Sequence, residues 1–306
     1  MRIKSLVGLF FCFVLLLSSN LYATTVKLSG VPDYDWWYGC APTSAGMMMG
    51  YYDIHGYKGL SYDNLVPGGV AELTTYPSTE GNWTYKAQNI IASQGHVNDF
   101  YRNGDGASGD DADPPYHSFN SLADFMGTSQ DSVGNPNGRT KFYFYSNGSP
   151  LYVSDVYQWG PDSYNQSGMF GIWEYVDYRG YGSDDPANDH TLFNQYVDTY
   201  IGETGFTFDD FMSEIDAGRV VLVHVQGHTM LGYGYDYDSE SDTKIIYIHD
   251  TWEEGDHTMT WGGDYAGLKL IGVTCFIPTG GSPVPLPGAV WLLGSGLLPL
   301  VWRIRE

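Results

Sequence analysis

A group of closely spaced strand-like segments near the end of the chain constrains the fold more than any other feature. Apolar and β-branched residues predict strands over 219–226, 228–236 and 244–249, and a fourth over 268–277. Far upstream, residues 40–53 predict a helix that stops at His55-Gly56. A helix followed much later by an antiparallel sheet is an α+β order.

The rest of the chain is less regular. Apolar periodicity predicts helices over 86–93 and about 192–200, and a third that begins after Thr207 as its N-cap. From about 94 to 190, Gly, Asp, Asn, Ser and Tyr are frequent and apolar runs are short. This stretch predicts a large insertion of loops, short helices and hairpins.

The first helix carries a thiol at its start, in Tyr38-Gly39-Cys40-Ala41-Pro42-Thr43-Ser44-Ala45-Gly46. Pro42 suits an early helical position, because its missing N–H would have no partner there. Small residues at 44–46 let another backbone approach closely. Free N–H groups and the helix dipole favour a thiolate, so we expect Cys40 to be an activated nucleophile.

The sheet offers a base for this thiol and a partner for the base. His228 lies near the start of one predicted strand, and Asp250 follows the next one. The two meet if those strands run antiparallel. A thiol nucleophile needs an imidazole to take its proton and a polar residue to orient the ring. Cys40, His228 and Asp250 are therefore the candidate catalytic residues.

At these residues the chain resembles the peptidase C39-like group of papain-fold cysteine peptidases. The similarity lies in Gly39 to Ser44, Asp216 to Val223, Gly227-His228, Gly234-Tyr235-Asp236 and His249-Asp250-Thr251-Trp252. It implies a papain-like fold, a peptide or protein substrate, Cys40 as nucleophile, His228 as general base and acid, and Asp250 as orienter. No cofactor or metal is implied.

The chain departs from that pattern at two positions of interest. Tyr34 stands where the family carries the glutamine of its oxyanion hole. Beside the Cys40 N–H, we consider the hydroxyl of Tyr34 or of Tyr38 a substitute donor. Thr251 replaces the usual proline, which we expect to be a minor change. The long spacing between Cys40 and His228 is attributed to the 94–190 insertion.

Both ends of the chain predict export. Residues 1–23 have the basic start, apolar core and Ala23 ending of a signal peptide. Residues 280–306 form a linker, Val284-Pro285-Leu286-Pro287, an apolar run and a basic end. This tail resembles exosortase sorting signals of Gram-negative bacteria, which implies transient membrane insertion, processing by signal peptidase and exosortase, and a cell-surface or matrix location. The peptidase-like domain is then 24–279.

Charge and cysteine usage bound the remaining possibilities. Residues 24–283 carry 10 basic and 35 acidic residues, which argues against nucleic acid as a partner. Export permits a disulfide between Cys40 and Cys275, and such a bridge would exclude the catalytic interpretation. The alternative is that Cys275 is a buried, inert thiol in the last strand.

Other sites and functions stay open. A weaker hypothesis is a zinc site formed by His224 and His228 and completed by His249, His257 and Asp250. Asp105, Asp110, Asp111 and Asp113 form an acidic loop that could hold calcium. The function is a thiol peptidase, an acyl transferase using the same triad, or a non-catalytic surface protein that retains the fold.

Overall fold

A computed structural model describes residues 23–75, 85–93, 118–183 and 185–280, and the backbone of 282–283. Its helices are α1 Cys40–His55, α2 Lys86–Ile91, α3 Leu122–Phe125, α4 Val153–Gln158, α5 Pro161–Tyr164, α6 Gly168–Tyr178, α7 Asp198–Ile201 and α8 Phe208–Asp216. Its strands are β1 Thr24–Lys27, β2 Asp33–Tyr34, β3 Leu60–Ser61, β4 Thr74–Thr75, β5 Leu151–Tyr152, β6 Leu192–Tyr196, β7 Val221–Val225, β8 His228–Asp238, β9 Thr243–His249, β10 His257–Thr260, β11 Asp264–Tyr265, β12 Leu268–Phe276 and β13 Ser282–Pro283. The predicted signal peptide, the acidic loop around Asp105–Asp113 and the sorting tail after residue 283 lie outside the described residues.

The main sheet is antiparallel and confirms the α+β class. Its strands lie in the order β10-β9-β8-β7-β12-β6-β5, with β1 also pairing with β8 and β11 with β12. The four strands predicted between 219 and 277 are present as β7, β8, β9 and β12, with ends within two residues of the predicted ones. β7 and β8 are buried through the paired stretch, which explains their nearly continuous apolar sequence.

The β7–β8 hairpin sets the position of His228. Val225 pairs with His228, so only Gln226 and Gly227 form the connection. Gly227, the second residue of this turn, has a φ of +83°, which glycine adopts without strain. His228 is therefore the first residue of β8, at the edge where the hairpin turns.

Helix α1 packs on β8 and runs through the core. Its residues from Ala41 to Asp53 are buried, consistent with a sequence that is apolar or small on every side. The predicted close approach of another backbone is present at Ser44, whose hydroxyl donates to the Thr229 carbonyl at 2.9 Å. Gly56 ends the helix with a φ of +64°, as the sequence predicts.

The predictions upstream of the sheet are only partly right. The helix expected over about 192–200 is wrong in its first half: residues 192–196 form β6, between β12 and β5, and only Asp198–Ile201 is helical. Ladder hydrogen bonds to β12 outweigh the helical spacing of the apolar residues. The helix after Thr207 is confirmed, and Thr207 caps it through the Asp210 N–H.

The described part of the 94–190 segment contains the predicted short helices but also supplies core. In α6 the side chains of Met169, Ile172 and Val176 are buried and join one apolar cluster with Met47 and Met48 of α1. At Gly171 a Cβ would lie 2.2 Å from the Phe125 carbonyl oxygen, so α3 and α6 touch through backbone. From residue 118 onward this segment is therefore integral to the fold.

A second apolar cluster lies on the other face of the sheet, under α8. It includes Phe211, Ile215, Val223, Met230 and Val273. The sheet is thus covered on both faces, with α1 on one side and α8 on the other. Among the described residues, no helix is both long and apolar enough to span a bilayer.

Candidate functional site

The thiol and the imidazole line one cavity of about 500 Å³. Cys40 enters it from the start of α1 and His228 from the start of β8. The facing wall is formed by residues 134–144, a strip that the sequence marks only as part of the insertion. The fold thus brings together two of the predicted catalytic residues, 188 positions apart in the sequence.

The Cys40 sulfur lies among backbone N–H groups. Those of Thr229, Ala41 and Cys40 itself lie close to it and lower the pKa of the thiol. Gly39, with a φ of +78°, precedes it, and a Cβ there would lie 3.2 Å from both the Pro42 and Thr128 side chains. The helix start therefore needs glycine before the cysteine, as the Gly39-Cys40 pair suggests.

Burial outweighs these N–H groups. The half-buried Cys40 loses solvent, and this raises the pKa of its thiol above the ordinary range despite the three nearby N–H groups. The sequence-based expectation of a thiolate formed by the helix start alone is therefore wrong for the free protein. The sulfur starts as a neutral thiol and needs a base.

His228 is oriented by a main-chain group of the predicted partner. Its Nε2 lies 2.7 Å from the Asp250 carbonyl oxygen. A carbonyl only accepts, so Nε2 carries the proton and Nδ1 is the basic nitrogen of the neutral ring. Burial lowers the pKa of His228, while the Asp250 carbonyl and charge oppose that shift. The ring is therefore neutral at pH 7 and suited to accept a proton.

The Asp250 carboxylate holds the loop rather than the imidazole. Its oxygens accept from the Trp252 N–H at 2.8 Å, the Glu253 N–H at 3.1 Å and the Tyr265 hydroxyl at 2.5 Å. Burial alone would raise its pKa, but these bonds lower it below the ordinary value. Asp250 therefore lies beside His228, but its carbonyl contacts the imidazole and its carboxylate contacts the loop.

Trp252 covers the imidazole. Its ring stacks on His228 at 4.1 Å between centroids, with planes 18° apart, and it also stacks on Tyr265. The indole is 46 % exposed, so it forms the outer wall of the site and limits the access of water to the His228–Asp250 hydrogen bond.

The corner at Thr251 departs from the pattern of the resembling family more than the sequence suggests. Thr251 has a φ of +68°, whereas proline fixes φ near −65°. A proline therefore cannot occupy this backbone conformation, and the replacement is not minor. Positive φ in a β-branched residue is strained. The corner is held in place by the Trp36 N–H, which donates to the Thr251 carbonyl at 2.8 Å.

A buried polar chain supports the far side of the cavity. Thr274 donates its hydroxyl proton to Asn194 Oδ1, so Thr274 Oγ1 can only accept from His224 Nε2, at 2.7 Å. Because Nε2 carries the proton of the neutral ring, His224 Nδ1 accepts from Thr229 Oγ1 at 3.0 Å. Burial lowers the pKa of His224 to about 3. A neutral His224 thus fixes Thr229, whose N–H contacts the thiol.

Tyr34 lies away from the thiol. Its hydroxyl donates to the Glu72 carbonyl at 2.7 Å. A Cβ on Gly50 would lie 2.6 Å from the Tyr34 hydroxyl oxygen. Gly50 follows Cys40 by ten residues, about 15 Å along the helix. The structure does not bring Tyr34 to the site, and the N–H of Cys40, at the helix start, is the nearer donor for an oxyanion.

Neither the disulfide nor the zinc hypothesis finds support in the geometry. Cys40 and Cys275 are free thiols, and Cys275 is fully buried in the sheet. Both ring nitrogens of His224 are engaged by threonine hydroxyls. Within the described ranges, no three His, Cys, Asp or Glu side chains are grouped to hold a metal ion.

Comparisons with known proteins add no assignment. No family model matches the chain. A search of curated proteins likewise finds no match.

Proposed function

We propose that this protein is an exported thiol peptidase of papain-like fold in which Cys40 is the nucleophile and His228 the general base and acid. The observation that carries the proposal is that a thiol at a helix N-terminus and an imidazole with its Nε2 proton held by a carbonyl line the same cavity. The resemblance to C39-like peptidases supports it, as do the predicted signal peptide and sorting tail. Signal peptidase, exosortase and a peptide or protein substrate are the proposed partners.

The reaction begins from neutral groups. His228 Nδ1 takes the Cys40 proton as the sulfur attacks the scissile carbonyl, and a C–S bond forms. The resulting oxyanion is stabilised by the Cys40 N–H. The imidazolium then gives its proton to the leaving amine as the C–N bond breaks. Water, deprotonated by His228, cleaves the thioester, and the proton returns to the sulfur.

The imidazolium formed in this cycle is stabilised by the Asp250 carbonyl and by the nearby carboxylate charge, both of which raise the pKa of His228. Trp252 keeps that hydrogen bond covered. The site thus contains a nucleophile, a base and an orienting acceptor.

The two free cysteines provide a matched test. Mature secreted protein is incubated with denatured casein, and the products are followed by mass spectrometry. We expect Cys40→Ala to abolish cleavage and Cys275→Ala to retain it, because Cys275 is buried away from the cavity. His228→Ala should lower the rate by about 10²-fold or more. Cleavage that survives in Cys40→Ala would refute the peptidase assignment.

Two further outcomes separate the alternatives. Products joined by new amide bonds would indicate acyl transfer through the same thioester. A wild-type protein whose Cys40 alkylates with iodoacetamide no faster than in His228→Ala would have no functional base. That result would favour the non-catalytic surface protein.

A further inference from the structure

The cavity beside Cys40 has a charge opposite to that of the chain. Its wall includes Arg139 and Lys141, whereas none of the described residues that line it is Asp or Glu. The whole protein has 36 acidic and 14 basic residues, a formal net charge of −22. Two cations in one cavity, without an acid among the lining residues, are therefore a local reversal rather than a general property of the surface.

The main chain that carries the two cations is fixed. The Arg139 carbonyl accepts from the Ser129 N–H at 2.9 Å, and the Lys141 carbonyl accepts from the Gly168 N–H at 2.7 Å. Thr140, between them, hydrogen-bonds the Thr128 hydroxyl at 2.7 Å. The strip is thus tied to the turn after α3 and to the first residue of α6, which fixes the backbone from which both side chains project.

Neither positive charge is neutralised within the described part of the chain. Lys141 Nζ donates to the uncharged Gln166 Oε1 and lies 5.6 Å from the Tyr143 ring centroid. Arg139 is exposed, with no ion pair to another described residue. Asp131 and Asp162 line a second cavity of about 330 Å³, which shares Gly134 with the first and also includes Gln166, the partner of Lys141.

The remaining wall is aromatic and neutral. Phe142 packs against His224 at 4.3 Å between ring centroids, and Phe144 lies at 5.9 Å from the same ring. His224, with its lowered pKa, adds no charge at neutral pH. The cavity therefore offers apolar contact for a short aliphatic stem and two cations for a negatively charged end.

We propose that the cavity selects a carboxylate-bearing segment of the substrate, placed beside the thiol by Arg139 and Lys141. This inference rests on the proposed function for the reaction, but the binding of an anion can be measured without it. Screening at physiological ionic strength limits the field of distant surface acids to about 8 Å, so the two local cations dominate inside the cavity. The carboxylate is that of an Asp or Glu side chain or of a peptide C-terminus.

Two alkylating reagents of nearly equal size test the charge directly. Iodoacetate is anionic and iodoacetamide is neutral. The second-order rate constant of iodoacetate is divided by that of iodoacetamide, and this ratio at Cys40 is compared with the same ratio for N-acetylcysteine. We expect the Cys40 ratio to be about tenfold higher, and to fall toward the reference as NaCl rises from about 20 mM to about 500 mM. Cys275→Ala protein is used so that one thiol reports.

Charge-removing variants locate the effect. Arg139→Gln and Lys141→Gln should each lower the ratio about threefold, and the double variant should reach the N-acetylcysteine value. Lys58→Gln is the matched control, because Lys58 follows the far end of α1, about 24 Å along the helix from Cys40. It should leave the ratio unchanged.

Small ligands distinguish the two sources of carboxylate. N-acetyl-glutamate α-amide carries only the side-chain carboxylate, N-acetyl-glutamine only the terminal one, and N-acetyl-glutamine amide neither. Protection of Cys40 from iodoacetamide by one or both anions, in excess of the neutral amide, identifies the preferred source. Equal protection by all three would overturn the inference.

The outcomes also separate this inference from the proposed function. A Cys40 ratio equal to that of N-acetylcysteine, with normal iodoacetamide reactivity, overturns the anion preference and leaves the nucleophile in place. A raised ratio without casein cleavage supports the anion site and counts against the peptidase. A Cys40 that reacts with neither reagent overturns both.

Discussion

The most discriminating prediction concerns Asp250, whose main-chain and side-chain oxygens have different contacts. The carbonyl accepts from His228 Nε2, whereas the carboxylate accepts from two N–H groups and the Tyr265 hydroxyl. In Asp250→Asn the amide oxygen can still accept from the Trp252 and Glu253 N–H groups, since both bind the same carboxylate oxygen. The amide nitrogen can donate to the Tyr265 oxygen.

We therefore expect Asp250→Asn to fold and to keep its rate of casein cleavage within about tenfold of wild type. The loss reflects only the carboxylate charge that raises the pKa of His228. A carboxylate that bound the imidazole directly would behave differently. In a triad of that kind the asparagine variant loses about 10⁴-fold through the wrong tautomer.

Asp250→Ala should instead fail through stability. It removes three hydrogen bonds to a buried charged acceptor, at about 1.5 kcal/mol each, so the free energy of unfolding should fall by on the order of 4–5 kcal/mol. Tyr265→Phe removes one of the three and should cost about 1.5 kcal/mol. Urea unfolding at pH 7 measures these changes beside the cleavage rate. A stable Asp250→Asn protein that loses about 10⁴-fold in rate would refute the main-chain role.

Two further predictions use pH. Burial lowers the pKa of His224 to about 3, so the unfolded chain binds a proton below pH 6.5 that the folded protein does not. Because of His224, the free energy of unfolding should fall by about 3 kcal/mol as pH falls from 6.5 to 4. The urea midpoint of His224→Gln should change less than that of wild type over the same pH range. Burial raises the pKa of Glu174 to about 7, and the Asp177 charge adds to this shift. The stability that the protonated Glu174 carboxyl contributes is therefore lost as pH rises from about 4.3 to about 7. Glu174→Gln should raise stability by about 3 kcal/mol at pH 8 and little at pH 4, whereas the exposed Glu203→Gln should change neither value. Equal pH dependence in wild type and either variant would contradict the corresponding assignment.

Local chemistry was sufficient for the elements that carry the thiol and the base. Gly39 and Pro42 mark the start of α1, and Gly56 marks its end. The Val-rich run with a Gln226-Gly227 turn defines the β7–β8 hairpin and places His228 at its edge. These features act within a few residues of sequence, so they are visible without a tertiary structure.

Elements whose state depends on distant partners were not predictable in the same way. Residues 192–196 have helical spacing of apolar side chains but form β6, because β12 offers a complete ladder of hydrogen bonds. Residues 134–144 have no strong periodicity, yet they form one wall of the cavity. Their role follows from packing against α6 and against His224 of β7, which the sequence does not encode locally.

The sequence alone predicts which residues offer a thiol, an imidazole and an orienting partner, because cysteine at a helix start and histidine at a hairpin edge are local patterns. Tertiary structure decides the contacts that these residues make. Burial raises the pKa of Cys40 against the effect of three nearby N–H groups. The Asp250 carbonyl rather than its carboxylate contacts His228, and Tyr34 lies beside Gly50 instead of the thiol. Desolvation and hydrogen-bond direction depend on which surfaces meet, and those surfaces come together only in the folded chain.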